Sequence, residues 1–146
     1  MAANYNQNLS AGKADGDVKT ITTANTSTAD VSSPADGVDF RLVFTADATN
    51  GGCVLEIGYH VRGTGTQAAG LIFIWKTGSD GIARKVDSFT VAAGSAQSTT
   101  VDGQRDVKTK SFENLPPGIK IFMSATVVSA NCQFVVWANG GSFASY

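Results

Sequence analysis

The chain has 146 residues, a mass of 15.1 kDa and an almost even balance of 11 basic and 12 acidic residues. A chain of this length buries roughly 68% of its unfolded surface, which suits one core. The Lys and Arg residues are spread from Lys13 to Lys120, so no basic run could neutralise several phosphates of a nucleic acid at once. No apolar run approaches the roughly 20 residues of a membrane span, and the N-terminus lacks a signal-peptide pattern. We therefore expect a soluble protein made in a cytoplasm, without a nucleic-acid or membrane partner.

The first 37 residues have little with which to build a core. Tyr5 is their one aromatic residue, and eight of the fourteen residues at 20–33 are Ser or Thr. We predict a polar N-terminal arm over residues 1–37 and a β-sandwich domain over residues 38–146. One strand is expected around "DVKTITT", and a flexible terminus is the alternative. The apolar residues expected to anchor the arm are Leu9, Val18, Ile21 and Val31.

From residue 38 onward, strand patterns alternate with turn signals. "VDFRLVFT" and "CVLEIGYHVR" alternate in the manner of half-buried antiparallel strands. Turn sequences such as "TNGG" and "NLPPG" separate the segments. We predict an all-β fold, an antiparallel β-sandwich of seven to eight strands that is jelly-roll-like. The further strands are expected at 70–76, 82–92, 106–112, 118–128 and 132–138.

Residues suited to catalysis or metal binding are few. His60 is the single histidine, and with the two cysteines it falls short of the four ligands of a structural zinc site. Glu56 and His60 share a strand face but lie about 13 Å apart by the usual strand rise, beyond hydrogen-bond reach. The loop "GTGTQA" at 63–68 has the glycine spacing of a dinucleotide fingerprint, but a strand follows it instead of a helix. We therefore predict a non-enzymatic protein with no catalytic, cofactor or metal site.

The two cysteines, Cys53 and Cys132, leave two states open. They are compatible with one disulfide bond. Synthesis in a cytoplasm favours free thiols, because that compartment keeps cysteines reduced.

The stretch "LIFIW" at 71–75 is apolar on both faces of a strand. Two later strands, "IKIFMSATVV" and "CQFVVWA", have the same property. The surplus side chains are Ile72, Ile74, Phe122, Val135 and Trp137. Their burial against a second subunit would contribute roughly 7 to 15 kcal/mol, comparable to the roughly 4 to 15 kcal/mol that association costs. The chain's own arm or a loop could equally cover them.

A ligand is the third possible cover. Trp137, Trp75 or Tyr59 could stack on a sugar ring, with Gln133 and the loop at 139–142 supplying polar groups. This alternative describes a carbohydrate-binding, lectin-like sandwich or a receptor-binding module of a fibre.

The whole chain, Thr/Ser/Gly-rich with a polar arm and a C-terminus reading "NGGSFASY", resembles the small β-sandwich structural proteins of tailed-phage virions. Among these it is most similar to capsid decoration, or cement, proteins. The resemblance implies a homotrimer on the capsid exterior, bound to the major capsid protein by arms that reach neighbouring subunits and gain from multivalency. It implies no cofactor. The expected interface residues are Leu9, Val18, Ile21, Val31, Ile72, Ile74, Phe122, Val135 and Trp137.

Overall fold

The computed structural model describes residues 14–143. These residues form eleven strands and no helix, and therefore no helix that could cross a membrane. Three strands are only two residues long, so the total exceeds the seven to eight expected. The strands are β1 (Ala14–Asp15), β2 (Val18–Ile21), β3 (Arg41–Thr45), β4 (Gly52–Gly63), β5 (Thr66–Gln67), β6 (Gly70–Thr77), β7 (Ala83–Val91), β8 (Gly94–Ser95), β9 (Arg105–Leu115), β10 (Lys120–Ala125) and β11 (Cys132–Ser142).

The strands build two main antiparallel sheets. Sheet A has the order β1-β11-β4-β9, with β2 also paired to β11. Sheet B has the order β3-β10-β6-β7, and β5 and β8 form a small ribbon. The two main sheets share one apolar core between them, as in β-sandwiches. The prediction of an all-β antiparallel sandwich is confirmed, whereas the jelly-roll topology is not confirmed by this strand order.

The core between the sheets is built from alternate residues of the long strands. Tyr59 of sheet A packs edge-on against Phe89 of sheet B, with ring centroids 5.1 Å apart. Because side chains alternate along a strand, the neighbours of these core residues point away from the core. The core side chains include Ile57, Tyr59, Val61, Phe134 and Val136 from sheet A, and Ile72, Ile74, Phe89, Ile121 and Met123 from sheet B.

Sheet B also buries its second face. Phe73, Trp75 and Phe122 point away from the main core and form a second cluster with Phe40 and Ala83. Residues 22–40, here called the crossing segment, lie over this cluster. The phenyl ring of Phe40 packs edge-on against Trp75 at 5.5 Å. Phe73 and Trp75 on the second apolar face of "LIFIW" are therefore covered by the chain itself, whereas Leu71 on that face is 37% exposed.

Backbone hydrogen bonds attach the crossing segment to sheet B near its start and at its middle. Asn25 donates to the carbonyl of Ala125 at 2.8 Å. Val31 donates to the carbonyl of Ala83 at 3.0 Å and accepts from its N–H at 2.9 Å. Thr22 donates to the carbonyl of Val38 at 3.1 Å and so links the two ends of the segment. The crossing segment has no core of its own, and it is ordered by hydrogen bonds to strands that already belong to sheet B.

The strand expected around "DVKTITT" is confirmed as β2. It pairs with β11, where Val18 lies opposite Trp137 and Ile21 lies opposite Phe134. Ile21 is fully buried in the main core. Residues 14–21 of the predicted arm therefore lie along the edge of sheet A, and the crossing segment contains the rest of its described part.

Both cysteines are free thiols. Cys53 pairs with Gly141 and Cys132 pairs with Gly63, at opposite ends of the β4–β11 ladder. A disulfide needs Cα atoms within about 7 Å, so the bridge is geometrically excluded. Burial raises the pKa of the Cys53 thiol, which keeps it protonated and unreactive.

Candidate functional site

The side of sheet A that is turned away from the core is here called the outer face of sheet A. It is open along its length, unlike the outer face of sheet B. Strand register places its residues in rows that cross the sheet. The residues of this face are Val18 and Thr20 of β2, Gln133, Val135 and Trp137 of β11, Glu56, Gly58, His60 and Arg62 of β4, and Arg105 and Val107 of β9.

One row of this face is apolar. Trp137 lies between Val18 and Gly58, and Gly58 lies opposite Val107. Val18 is 63% exposed and Val107 is 40% exposed, while Trp137 is half-buried. Isolated exposed valines are common on protein surfaces, but here they flank an aromatic ring on a regular sheet.

The indole of Trp137 is held in place by two neighbours on β4. A Cβ atom at Gly58 would lie 2.6 Å from Cζ2 of Trp137, so the ring occupies the space that a side chain would need. Trp137 Nε1 donates a hydrogen bond to Glu56 Oε1 at 3.1 Å. Asn139 Nδ2 donates to the same oxygen at 3.4 Å. The ring is thus fixed before any ligand arrives.

The next row is polar apart from Val135. Thr20, Val135, His60 and Arg105 follow one another across the sheet. Asp102 binds Arg105 Nη2 at 3.2 Å and lies 3.7 Å from His60 Nε2. The buried His60 Nε2 has no hydrogen-bond partner among the described residues. The charge of Arg105 is therefore already engaged by a carboxylate.

A cleft lies at the far end of the face, where Gln133 pairs with Arg62. Its volume is about 560 Å³. A bridge between Arg62 and Gln97 brings the segment before β9 to its rim. The lining residues are Arg62, Gly63, Thr64, Gln97, Ser98, Thr99 and Gln133.

A second cleft, of about 540 Å³, separates β1 and β2 from β3 at the side of the sandwich. Asp17 donates its N–H to the carbonyl of Val43 across it, at 3.0 Å. The backbone N–H of Val18 and the ammonium of Lys19 lower the pKa of Asp17. This is the side from which the described N-terminal segment starts.

The structure does not bring the predicted interface residues together. β10 and β11 belong to different sheets, so Phe122 and Trp137 lie on opposite outer faces of the sandwich. Tyr59 and Trp75 are fully buried, which leaves Trp137 as the exposed stacking candidate of the three. Ile21, Ile72 and Ile74 lie in the main core, Phe122 and Val31 in or against the second cluster, Val18, Val135 and Trp137 on the outer face of sheet A, and Leu9 outside the described residues.

Sequence reasoning missed the importance of Gly58, Arg62 and Val107. Alternation places Gly58 and Arg62 on the strand face of Glu56 and His60, and Val107 lies within the strand expected at 106–112, but neither pattern shows which strands are neighbours. The pairing of β4 with both β11 and β9 gives these residues their neighbours. No local pattern reveals that pairing.

Comparison with known proteins assigns no family. No protein-family model and no curated protein match the chain. A solved glycoside hydrolase family 43 arabinoxylan arabinofuranohydrolase from Bacillus subtilis, in complex with cellotetraose, is 17% identical, with a TM-score of 0.37 over 90% of this chain and 25% of that one. Structures of infectious bursal disease virus are 21% identical for the Gt strain and 22% for the Gx strain, with TM-scores of 0.28 and 0.26. Each covers 86% of this chain, and this chain covers 32% and 30% of theirs.

Proposed function

We propose that the chain is a non-enzymatic structural protein of a virion, a capsid decoration protein that binds the major capsid protein on the exterior of a phage head. The use of the N-terminal segment carries the proposal. β1 and β2 add to the edge of sheet A, and the crossing segment then covers the aromatic face of sheet B. This segment serves as an extended tie over surfaces that other strands provide.

Addition of a strand to a sheet edge is also suited to linking subunits. Strand addition supplies backbone hydrogen bonds to any free sheet edge, and side-chain pockets supply selectivity. Ala14 pairs with Gly141 at the edge of sheet A, and residues 1–13 precede it in the sequence. We infer that they, with Leu9 among them, tie the chain to the capsid lattice.

Repetition on a lattice supports the proposal energetically. An extended segment covers much surface for its length but is ordered at an entropic cost, so a single tie is weak. Three linked copies raise the effective concentration of each further contact. We propose a homotrimer as this assembly, as the resemblance to capsid decoration proteins implies.

Deletion of residues 1–13 tests the tie to the capsid. The truncated chain keeps β1 and β2, and we expect its thermal unfolding to match that of the full chain. Co-sedimentation with phage heads that lack the protein should fall to background for the truncated chain. Arg62→Gln, a substitution at an exposed residue, is the control variant and should sediment with heads normally. Equal sedimentation of the truncated and full chains would refute the proposal.

Light scattering behind a sizing column tests the trimer. A mass near three times the chain mass of 15.1 kDa is expected, at all concentrations in the micromolar range. A monomer throughout that range would contradict the trimer while leaving the head-binding experiment to decide the capsid role.

A further inference from the structure

The outer face of sheet A places an aromatic ring and a polar cleft on one line. Trp137 and Gln133 are four residues apart on the same face of β11, a separation of about 13 Å by the rise of a strand. That span is too long for a single sugar ring or a small metabolite. It fits an elongated ligand that lies along the strand.

Trp137 offers the kind of surface on which a sugar ring stacks. Its indole combines a flat apolar body with a polar edge, and that edge is already bound to Glu56. Gly58 leaves room for the ring on the sheet. Because the ring is fixed in advance, little side-chain entropy is lost when a ligand binds.

The cleft offers groups that match sugar hydroxyls. The side-chain amides of Gln97 and Gln133 each present donors and an acceptor. Among the described residues, neither amide forms a hydrogen bond with the protein. The hydroxyls of Thr64 and Thr99 lie at the same cleft. A ligand rich in hydroxyl groups would find both partners there.

The charge of the cleft restricts the chemical class of the ligand further. Arg62 is its charged lining residue, and within residues 14–143 it forms no ion pair. Arg105 on the same face is different, because Asp102 binds it at 3.2 Å. A free guanidinium binds a carboxylate through two parallel hydrogen bonds. The ligand should therefore carry a carboxylate at the end that enters the cleft.

We propose that the outer face of sheet A binds an acidic oligosaccharide, laid along β11 with one sugar ring on Trp137 and a carboxylate on Arg62. The site is additional to the capsid role and does not depend on it, since the tie proposed above starts from the edge of the sheet. A nucleic acid fits less well, because a phosphate backbone needs several cations. Of the two described arginines on this face, Arg105 is already bound to Asp102 and Arg62 alone forms no ion pair with the described residues.

Binding to immobilised oligosaccharides tests the proposal directly. The probes are oligogalacturonate, oligomannuronate and sialyllactose, each beside a neutral counterpart of the same length. At least one acidic probe should bind, and its neutral counterpart should bind about tenfold more weakly, as expected for the loss of one charge-assisted pair. No binding of any acidic probe at millimolar concentration would overturn the proposal.

Variants of the full chain assign the binding to this face. Trp137→Ala and Arg62→Gln should each weaken binding of the acidic probe by about tenfold or more. Arg105→Gln is the matched control, because it removes an exposed arginine that Asp102 already neutralises, and binding should change by less than about twofold. Arg62 is exposed, so its substitution leaves the fold intact even if Trp137→Ala does not. Unchanged binding in Arg62→Gln, or an equal loss in Arg105→Gln, would contradict the proposed site.

Discussion

The phenyl ring of Phe40 stacks on that of Phe122, with centroids 4.7 Å apart and planes inclined by 19°. Phe40 ends the crossing segment, and Phe122 belongs to the middle of sheet B. This contact is the point at which the N-terminal part of the chain covers the face that a second subunit would otherwise have to cover. The aromatic cluster on the outer face of sheet B is therefore buried within one chain.

Removal of the Phe40 ring should uncover this face. We expect Phe40→Ala to lower the free energy of unfolding by about 3 to 5 kcal/mol, the usual cost of truncating a buried aromatic side chain. Urea titration followed by the fluorescence of Trp75 and Trp137 measures the loss. Val38→Ala, at a neighbouring residue that is 54% exposed, should change stability by less than about 0.5 kcal/mol. A loss of stability in Phe40→Ala no larger than that in Val38→Ala would show that the crossing segment contributes little to the free energy of unfolding.

Gly58 should not tolerate a side chain. A Cβ atom there would lie 2.6 Å from Trp137 and 2.9 Å from the carbonyl oxygen of Asp106. We expect Gly58→Ala to destabilise the fold by about 1 to 3 kcal/mol, as overpacking does, and to shift the tryptophan emission to longer wavelength. At Gly94 a Cβ atom would meet nothing within 4 Å, so Gly94→Ala is the matched control and should leave both quantities near their original values.

The stability contributed by the turn between β6 and β7 should be lost at low pH. The pKa of Asp80 is lowered to about 2. The larger cause is a hydrogen bond from the side chain of Arg84, and the next is one from the N–H of Ile82. Because the folded-state pKa lies below the ordinary value of 3.8, the stabilisation is present above that value and is lost as the pH falls through about 2. Comparison of the full chain with Asp80→Asn by urea titration across this range measures it. A difference in stability that stays constant down to pH 2 would contradict the assignment.

The two thiols should differ in reactivity. Cys53 is buried and its pKa is raised by desolvation, whereas Cys132 is partly exposed. We expect iodoacetamide at pH 8 to modify Cys132 first and Cys53 only on unfolding, because the thiolate is the reactive form. Peptide mass spectrometry locates the adducts. Faster modification of Cys53 in the folded protein would show that the β4–β11 ladder opens near Gly141.

Much of the strand pattern is readable locally. The inner residues of β11, Phe134 and Val136, and those of β10, Ile121 and Met123, alternate as the sequence predicts. Alternation fails at the start of β4. A regular strand would bury Leu55 together with Ile57, but Leu55 is 45% exposed and Val54 is buried. In the pairing of β4 with β11, Asn139 lies opposite Glu56 and Gly140 lies opposite Val54, so Leu55 is an extra residue at this point of β4. Such a bulge inserts one residue and reverses the faces, and nothing in the local sequence announces it.

In the candidate site, too, some residues were identifiable from the sequence and others only from strand pairing. Trp137, Val135 and Val18 were singled out from their strand patterns, and all three lie on the outer face of sheet A. Their neighbours Gly58 and Arg62 became recognisable only when β4 was placed beside β11. Ile72 and Ile74 were included because the inner face of "LIFIW" could not be identified in advance, and both lie in the main core.

The sequence by itself determined an all-β chain, its strand positions and its two-sided apolar strands, because side-chain alternation and turn residues act over a few positions. Only the tertiary structure decided which strands became neighbours and which segment covered each apolar face. Adjacent segments of similar pattern, β10 and β11, entered different sheets. Pairing between distant strands depends on complementary faces and register, and those are properties of two segments together.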